Sequence, residues 1–238
     1  MSGANDGKNV NLRNLKAYLD VRNVDTEPSI IGKKLIKWWP NNRRSYPWRE
    51  QSDPYKILIA EIMLQRTKAD QVLLVYQAFL QKFPTIFDLA RGSKKEITVF
   101  FKKLGLLWRA SVIKEMACYV VEKYNGIFPK EKKNLLDIPA VGDYMASAML
   151  SFAYGEPDVV VDSNVCRIVL RVYGLDVKGE ARKNKIVREI ANKMLPSNIE
   201  SRSFNFALID FAALVCKPAE PLCQKCPINE LCIYYLRT

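Results

Sequence analysis

Apolar residues recur along most of this chain at three- and four-residue intervals, the period of a helix that buries one face. Residues 1 to about 28 break the pattern. They are polar and Asn-rich, with only Leu12, Leu15 and Leu19 at helical spacing, and a mobile or weakly helical arm is expected there. The run IIGKKLIKWW up to Trp39 fits a helix, and Pro40 to Arg49 reads as a loop. Its Arg43, Arg44 and Arg49 suit phosphates or a merely solvated loop equally well. Asp53 ahead of Pro54 is an N-cap followed by a first-turn proline. The helix it opens, YKILIAEIMLQRT, is apolar nearly all round and therefore expected to be buried. Further helices are expected near 70–83, 95–103, 109–124, 143–153, 163–173, 182–194 and 203–215, with Gly155 and Gly174 placed as C-caps. The strand period is nearly absent, its best instance being the valines at 159–161. The chain reads as all-α, without heptads, tandem repeats or low-complexity tracts.

A chain of 238 residues, 49% hydrophobic and 26% charged, makes one or two domains and can bury a core without disulfides or obligatory oligomerisation. No run of eighteen apolar residues appears and the N-terminus lacks a signal-peptide pattern, so neither a membrane span nor secretion is expected. Charge changes the picture more. The balance of 37 Lys and Arg against 25 Asp and Glu leaves +12, which makes nucleic acid the leading partner against the alternative of a soluble protein that is simply basic. Histidine is absent, which removes imidazole-based triads, His-ligated zinc hydrolysis and two-histidine iron sites. Any acid or base must be Asp, Glu, Lys, Tyr or Cys.

Four of the six cysteines, Cys216, Cys223, Cys226 and Cys232, crowd into one C-x6-C-x2-C-x5-C run. With no secretion signal, such crowding points to a shared soft cation rather than to bridges. Structural zinc and a four-iron cluster both accept four thiolates; the spacing favours the cluster, because zinc sites usually use two paired knuckles and only Cys223 and Cys226 form one. Cys118 and Cys166 lie on apolar helical faces and are expected to pack in the core.

Residues 135–150, LLDIPAVGDYMASAML, read as a short helix, a turn at Pro139, Ala140, Val141 and Gly142, and a second helix opening at Asp143. Such a helix-hairpin-helix turns backbone N–H groups outward toward a phosphate, whatever the base; an ordinary αα-hairpin is the bland alternative. Downstream, Asp162 sits at the mouth of the helix in VVVDSNVCRIVLRVYG. It caps that helix, and the capping amides favour its ionised form, which also suits a carboxylate that stabilises positive charge developing on a sugar. Glu61 is anomalous, a carboxylate on a face shared with Ile57, Leu58 and Leu64. Desolvation would keep a proton on it for general-acid work, unless Arg66 or Arg109 pairs with it structurally.

In sequence order, YPWR, DPY, AEIMLQRT, the hairpin, VDSNV, SFN and the four cysteines together resemble the helix-hairpin-helix DNA glycosylases of the endonuclease III superfamily, in the iron-sulfur branch. The resemblance runs from about Ile30 to Cys232. It implies a two-lobed fold, with a six-helix domain over 50–155 carrying the hairpin, and a second lobe made of 29–49 and 156–238 with the cluster loop at 216–232. It implies a [4Fe-4S] cluster on the four cysteines, Asp162 as the essential aspartate, and Glu61 where adenine-removing members protonate purines. Gln65 would fill the gap left by a flipped base, and Arg66 and the hairpin residues 139–143 would contact DNA. Flipping is required because the glycosidic bond is unreachable inside a stacked duplex.

Two departures matter. Tyr144 stands where strand-cutting relatives carry a lysine, and a phenol forms no imine, so base removal without strand scission is expected, with Tyr144 lining the base pocket. Ala140 replaces the family's first turn glycine, so the turn must tolerate a Cβ. The pair Gln65 and Arg66 lies between the Gln-Gln of adenine-removing and the Arg-Arg of thymine-removing relatives. Arg66, Tyr144, the absence of a phenol among Leu106, Leu107 and Trp108, and the short stretch after Cys232 favour removal of thymine or uracil mispaired with guanine. Removal of adenine opposite guanine or oxidised guanine is the alternative, and a non-catalytic DNA-binding protein the alternative of another class. The expected partner is double-stranded DNA containing a mismatch, bound by a monomer in the cytoplasm with the nucleoid of a prokaryote, or in a eukaryotic nucleus.

Overall fold

A computed structural model describes residues 27–105 and 107–237. The expected N-terminal arm, apart from its last residues, and Leu106 lie outside them. The described residues form helices and turns with no strand; Val159, Val160 and Val161 are a buried connection instead. They divide into two compact units: Arg44–Val160 with Glu200–Arg202, and the remainder, which holds Val161–Ile199 and the cysteine run.

In the first unit, Asp53 accepts a hydrogen bond from the Tyr55 N–H at 2.8 Å, and with Pro54 at the first position it starts α2, Pro54–Leu64. Labels run in chain order from α1, Pro28–Trp38, in the second unit. Eight of the eleven residues of α2 are buried, as an all-round apolar helix requires. Around it stand α3 (Ala69–Lys82), α4 (Ile86–Arg91), α5 (Lys94–Lys103), α6 (Arg109–Tyr124), α7 (Lys132–Leu136) and α8 (Asp143–Tyr154). Hydrophobic periodicity does not find α4, since six residues make under two turns. Its signal is the capping box: Thr85 and Asp88 exchange hydrogen bonds, as Ser93 and Glu96 do at the start of α5. The core joins Leu58, Met63, Ile113 and Met149 to Phe79, whose ring meets Phe100 and Phe101 edge-on at 5.3 and 5.9 Å. Burying each such side chain contributes roughly 1.5–3 kcal/mol.

The second unit joins α1 to α9 (Ser163–Val172), α10 (Lys185–Met194), most of α11 (Ser201–Leu214) and the short α12 (Ile233–Leu236). The stripe of Val187, Ile190, Ala191 and Met194 buries one face of α10. Gly32 lets α1 approach it closely, because a Cβ there would stand 1.8 Å from the Met194 carbonyl oxygen. Inside α11 the fully buried Asp210 accepts a hydrogen bond from Trp39 Nε1 at 2.9 Å, which satisfies the indole and part of the carboxylate's demand.

Candidate functional site

The hairpin forms as the sequence indicates. The Ile138 N–H donates to the Leu135 carbonyl at 3.2 Å and the Val141 N–H to that of Ile138 at 3.0 Å, closing a tight turn between α7 and α8. Ala140 sits at φ 69°, so this turn does hold a Cβ in the left-handed region, at a cost of about 1 kcal/mol relative to glycine. Gly142 is the N-cap of α8 with no side-chain cap, and a Cβ there would meet nothing within 4 Å. The first amides of a twelve-residue helix thus open on exposed backbone at Gly142 and Asp143, a geometry suited to an anion. Val141 is buried and Pro139 half-buried. Lys132 of α7 braces the hairpin, its ammonium reaching Ser147 Oγ at 2.9 Å and Asp158 Oδ2 at 2.6 Å.

Tyr144, in the first turn of α8, donates its phenol to Glu61 Oε2 at 2.7 Å. Glu61 is only 6% exposed, so the anomaly in the apolar helix is real, and a partner 83 residues away answers it. Arg109, 3% exposed, donates to the Ile62 carbonyl instead. Arg66 is exposed, at φ 61°, immediately after the half-buried Gln65 that caps the end of α2. Its charge lies close enough to Arg109 to lower that guanidinium's affinity for its proton, after burial, the larger cause. All these residues belong to the first unit.

Asp162 belongs to the second unit and caps α9. Its Oδ1 accepts the N–H groups of Asn164 and Val165 at 2.8 and 2.7 Å, and its Oδ2 accepts Asn164 Nδ2 at 2.6 Å. The chain of contacts continues. Arg167 Nη1 donates to Asn164 Oδ1 at 3.0 Å, while its Nε reaches the Cys216 carbonyl at 2.9 Å and its Nη2 that of Ala212 at 3.1 Å. Asn164 and Arg167 were not singled out from the sequence. Their signal is spacing, two and five residues past a capping aspartate, which puts all three at one helix end.

All six cysteines are free thiols. Cys166 is buried as expected, and Cys118 is half-buried with its thiol 3.8 Å from the Ala90 carbonyl. The other four line a single pocket, with Arg171 and Tyr234 also in its wall. Burial pushes the Cys226 thiol up to about 12 and raises that of Cys232. Such thiols ionise when a cation replaces the proton. Among the described residues, no three such side chains converge as ligands of one metal ion.

A basic chain whose described residues are helical, with a helix-hairpin-helix turn and a hydrogen-bonded, helix-capping aspartate, has the architecture of a DNA-repair protein, and comparison with known proteins bears this out. Residues 59–197 match the HhH-GPD superfamily of base excision DNA repair proteins. The chain belongs to that family. It is 37% identical to a thymine/uracil-DNA glycosylase of Methanothermobacter thermautotrophicus over 84% of this chain and 91% of that protein. A solved structure of a thermostable thymine-DNA glycosylase superimposes with a TM-score of 0.84 at 35% identity, covering 89% of this chain and 97% of the other. An adenine DNA glycosylase of Buchnera aphidicola is 32% identical over 87% of this chain and 59% of its own length. No helix among the described residues is long and apolar enough to cross a membrane.

Proposed function

We propose that this chain is a monofunctional DNA glycosylase that hydrolyses the N-glycosidic bond of thymine or uracil mispaired with guanine in double-stranded DNA, acting as a monomer. The observation that carries the reading is the Asp162 carboxylate, held by two backbone amides and the Asn164 amide at a helix N-terminus. Its negative charge is fixed in place, as stabilising an oxocarbenium-like sugar requires, with no reorganisation at the moment of bond breaking. The C1′–N bond breaks with its electrons leaving on the base, which takes up a proton, and water oriented by Asp162 completes the sugar as an abasic site. Glu61 and Tyr144 form one hydrogen-bonded unit that lines the base pocket. The phenol at Tyr144 offers no amine for an imine, which supports hydrolysis without strand scission. The α8 terminus at Gly142 and Asp143, which has no side-chain cap, takes a phosphate, while Gln65 fills the space the flipped nucleotide vacates and Arg66 contacts DNA beside it.

Similarity to thymine and uracil glycosylases over most of both chains supports the choice of base. A buried carboxyl group at Glu61 also suits protonation of a purine, and adenine removal is the second reading. Single-turnover assays on T:G, U:G, A:G and A:oxidised-G duplexes, with alkali to cut abasic sites, decide between them. Thymine and uracil should leave fastest; adenine leaving roughly tenfold faster than thymine, about 1.4 kcal/mol of barrier, would overturn the choice. Asp162→Asn should retain mismatch binding and lose base release by orders of magnitude.

Cys216, Cys223, Cys226 and Cys232 fit a [4Fe-4S] cluster, in which each iron takes one thiolate, because four thiol side chains line one pocket. Such a group supplies a soft cation that orders the loop and presents Lys217 and Lys225 to phosphates. Equal amounts of iron and acid-labile sulfide in anaerobically purified protein are expected; stoichiometric zinc without iron would refute the assignment.

A further inference from the structure

We propose that Arg171 is a positioning residue for the group the four cysteines hold, donating a hydrogen bond to the Cys216 sulfur and setting the electron affinity of a cluster in that cavity. The proposal rests on the cluster reading above. Arg171 is half-buried on α9, one turn beyond Arg167, but the two arginines address Cys216 differently. Arg167 donates to the Cys216 carbonyl, whereas Arg171 Nη1 lies 3.5 Å from Cys216 Sγ. The same Nη1 donates to the Lys217 carbonyl at 2.6 Å, and Nη2 to that of Pro218 at 2.9 Å. The guanidinium lies over the Tyr234 ring, 4.8 Å from its centroid. Two carbonyls and a ring therefore hold a planar fork in one orientation, with a donor on the sulfur.

Arg171 also meets the other end of the cysteine run, where Cys232 Sγ stands 3.6 Å from its carbonyl oxygen. One residue thus touches the first and the last of the four cysteines, and it lines the cavity between them. The guanidinium brings a positive charge to the Cys216 sulfur. An N–H···S bond draws electron density from a thiolate, and a fixed cation beside it favours the more reduced, more negative cluster. Arg171 therefore raises the cluster's reduction potential. Holding the loop through the Lys217 and Pro218 carbonyls alone would not move that potential.

The test compares full-length wild type, Arg171→Gln and Arg171→Lys, purified anaerobically, by iron and sulfide content and by the midpoint potential in protein-film voltammetry. Glutamine keeps an amide donor for the carbonyls and loses the charge; lysine keeps the charge and loses the fork. The potential should fall in Arg171→Gln and lie between the two in Arg171→Lys, with air bleaching of the cluster several-fold faster in the glutamine variant. An Arg171→Gln protein with full iron and sulfide and an unchanged potential overturns the proposal. Loss of iron from both variants also overturns it, since Arg171 then only holds the loop. Wild type free of iron and sulfide ends the cluster reading, and this one with it.

Discussion

Replacing Arg167 by methionine tests whether the aspartate and the cysteine loop are mechanically one unit. Methionine keeps most of the apolar stem and removes every donor, so packing changes little while three hydrogen bonds vanish, at 2.9, 3.0 and 3.1 Å. Each bond from a charged donor contributes about 1.5 kcal/mol, and methionine gives up about as much rotamer freedom as arginine does, so a net loss of roughly 4 kcal/mol is expected. Urea titration of both proteins measures it. The activity effect runs through Asn164. Freed from Arg167, its side chain no longer holds Nδ2 toward Asp162 Oδ2, where the bond is 2.6 Å long. Base release in single turnover should fall about tenfold or more if 1.4 kcal/mol of charge stabilisation depends on that orientation. Asn164→Ala should do the same, and the double variant should be little worse than either single one, because both break one chain. Stability within about 0.5 kcal/mol of wild type, or additive losses of rate in the double variant, would refute the reasoning.

Three further outcomes follow from single features. Borohydride should trap no covalent complex with wild type on abasic DNA, while Tyr144→Lys should form one; efficient trapping with wild type would contradict the role given to Tyr144. Ala140→Gly should raise stability by roughly 0.5 kcal/mol, since relief of strain at φ 69° exceeds the added freedom of the unfolded chain, and a clear loss in urea unfolding would count against that conformation. Glu96 is held down to about 2, from an ordinary value of 4.5, first by Lys82 and then by Ser93. A lowered carboxylate stabilises the fold above its unfolded value, so the advantage of wild type over Glu96→Gln in unfolding midpoint should shrink as pH falls from about 4.5 toward about 2; a constant difference across that window would disprove it.

Much of the molecule was written locally. Pro54 behind Asp53, the stripe along α10, the punctuation of the hairpin and the cysteine spacing each depend on residues within a few turns of one another, and periodicity and capping govern such ranges directly. For the same reason the family resemblance was visible in order along the chain. What folding alone decided is pairing over distance. Nothing near Glu61 in sequence indicates that Tyr144 answers it, because α2 and α8 come together through the core they share. Arg167 and Arg171 look alike in the sequence, a turn apart on one helix. Only the path of the chain after α11 gives one the Cys216 carbonyl and the other the Cys216 sulfur, since a hydrogen bond depends on where its acceptor lies in space.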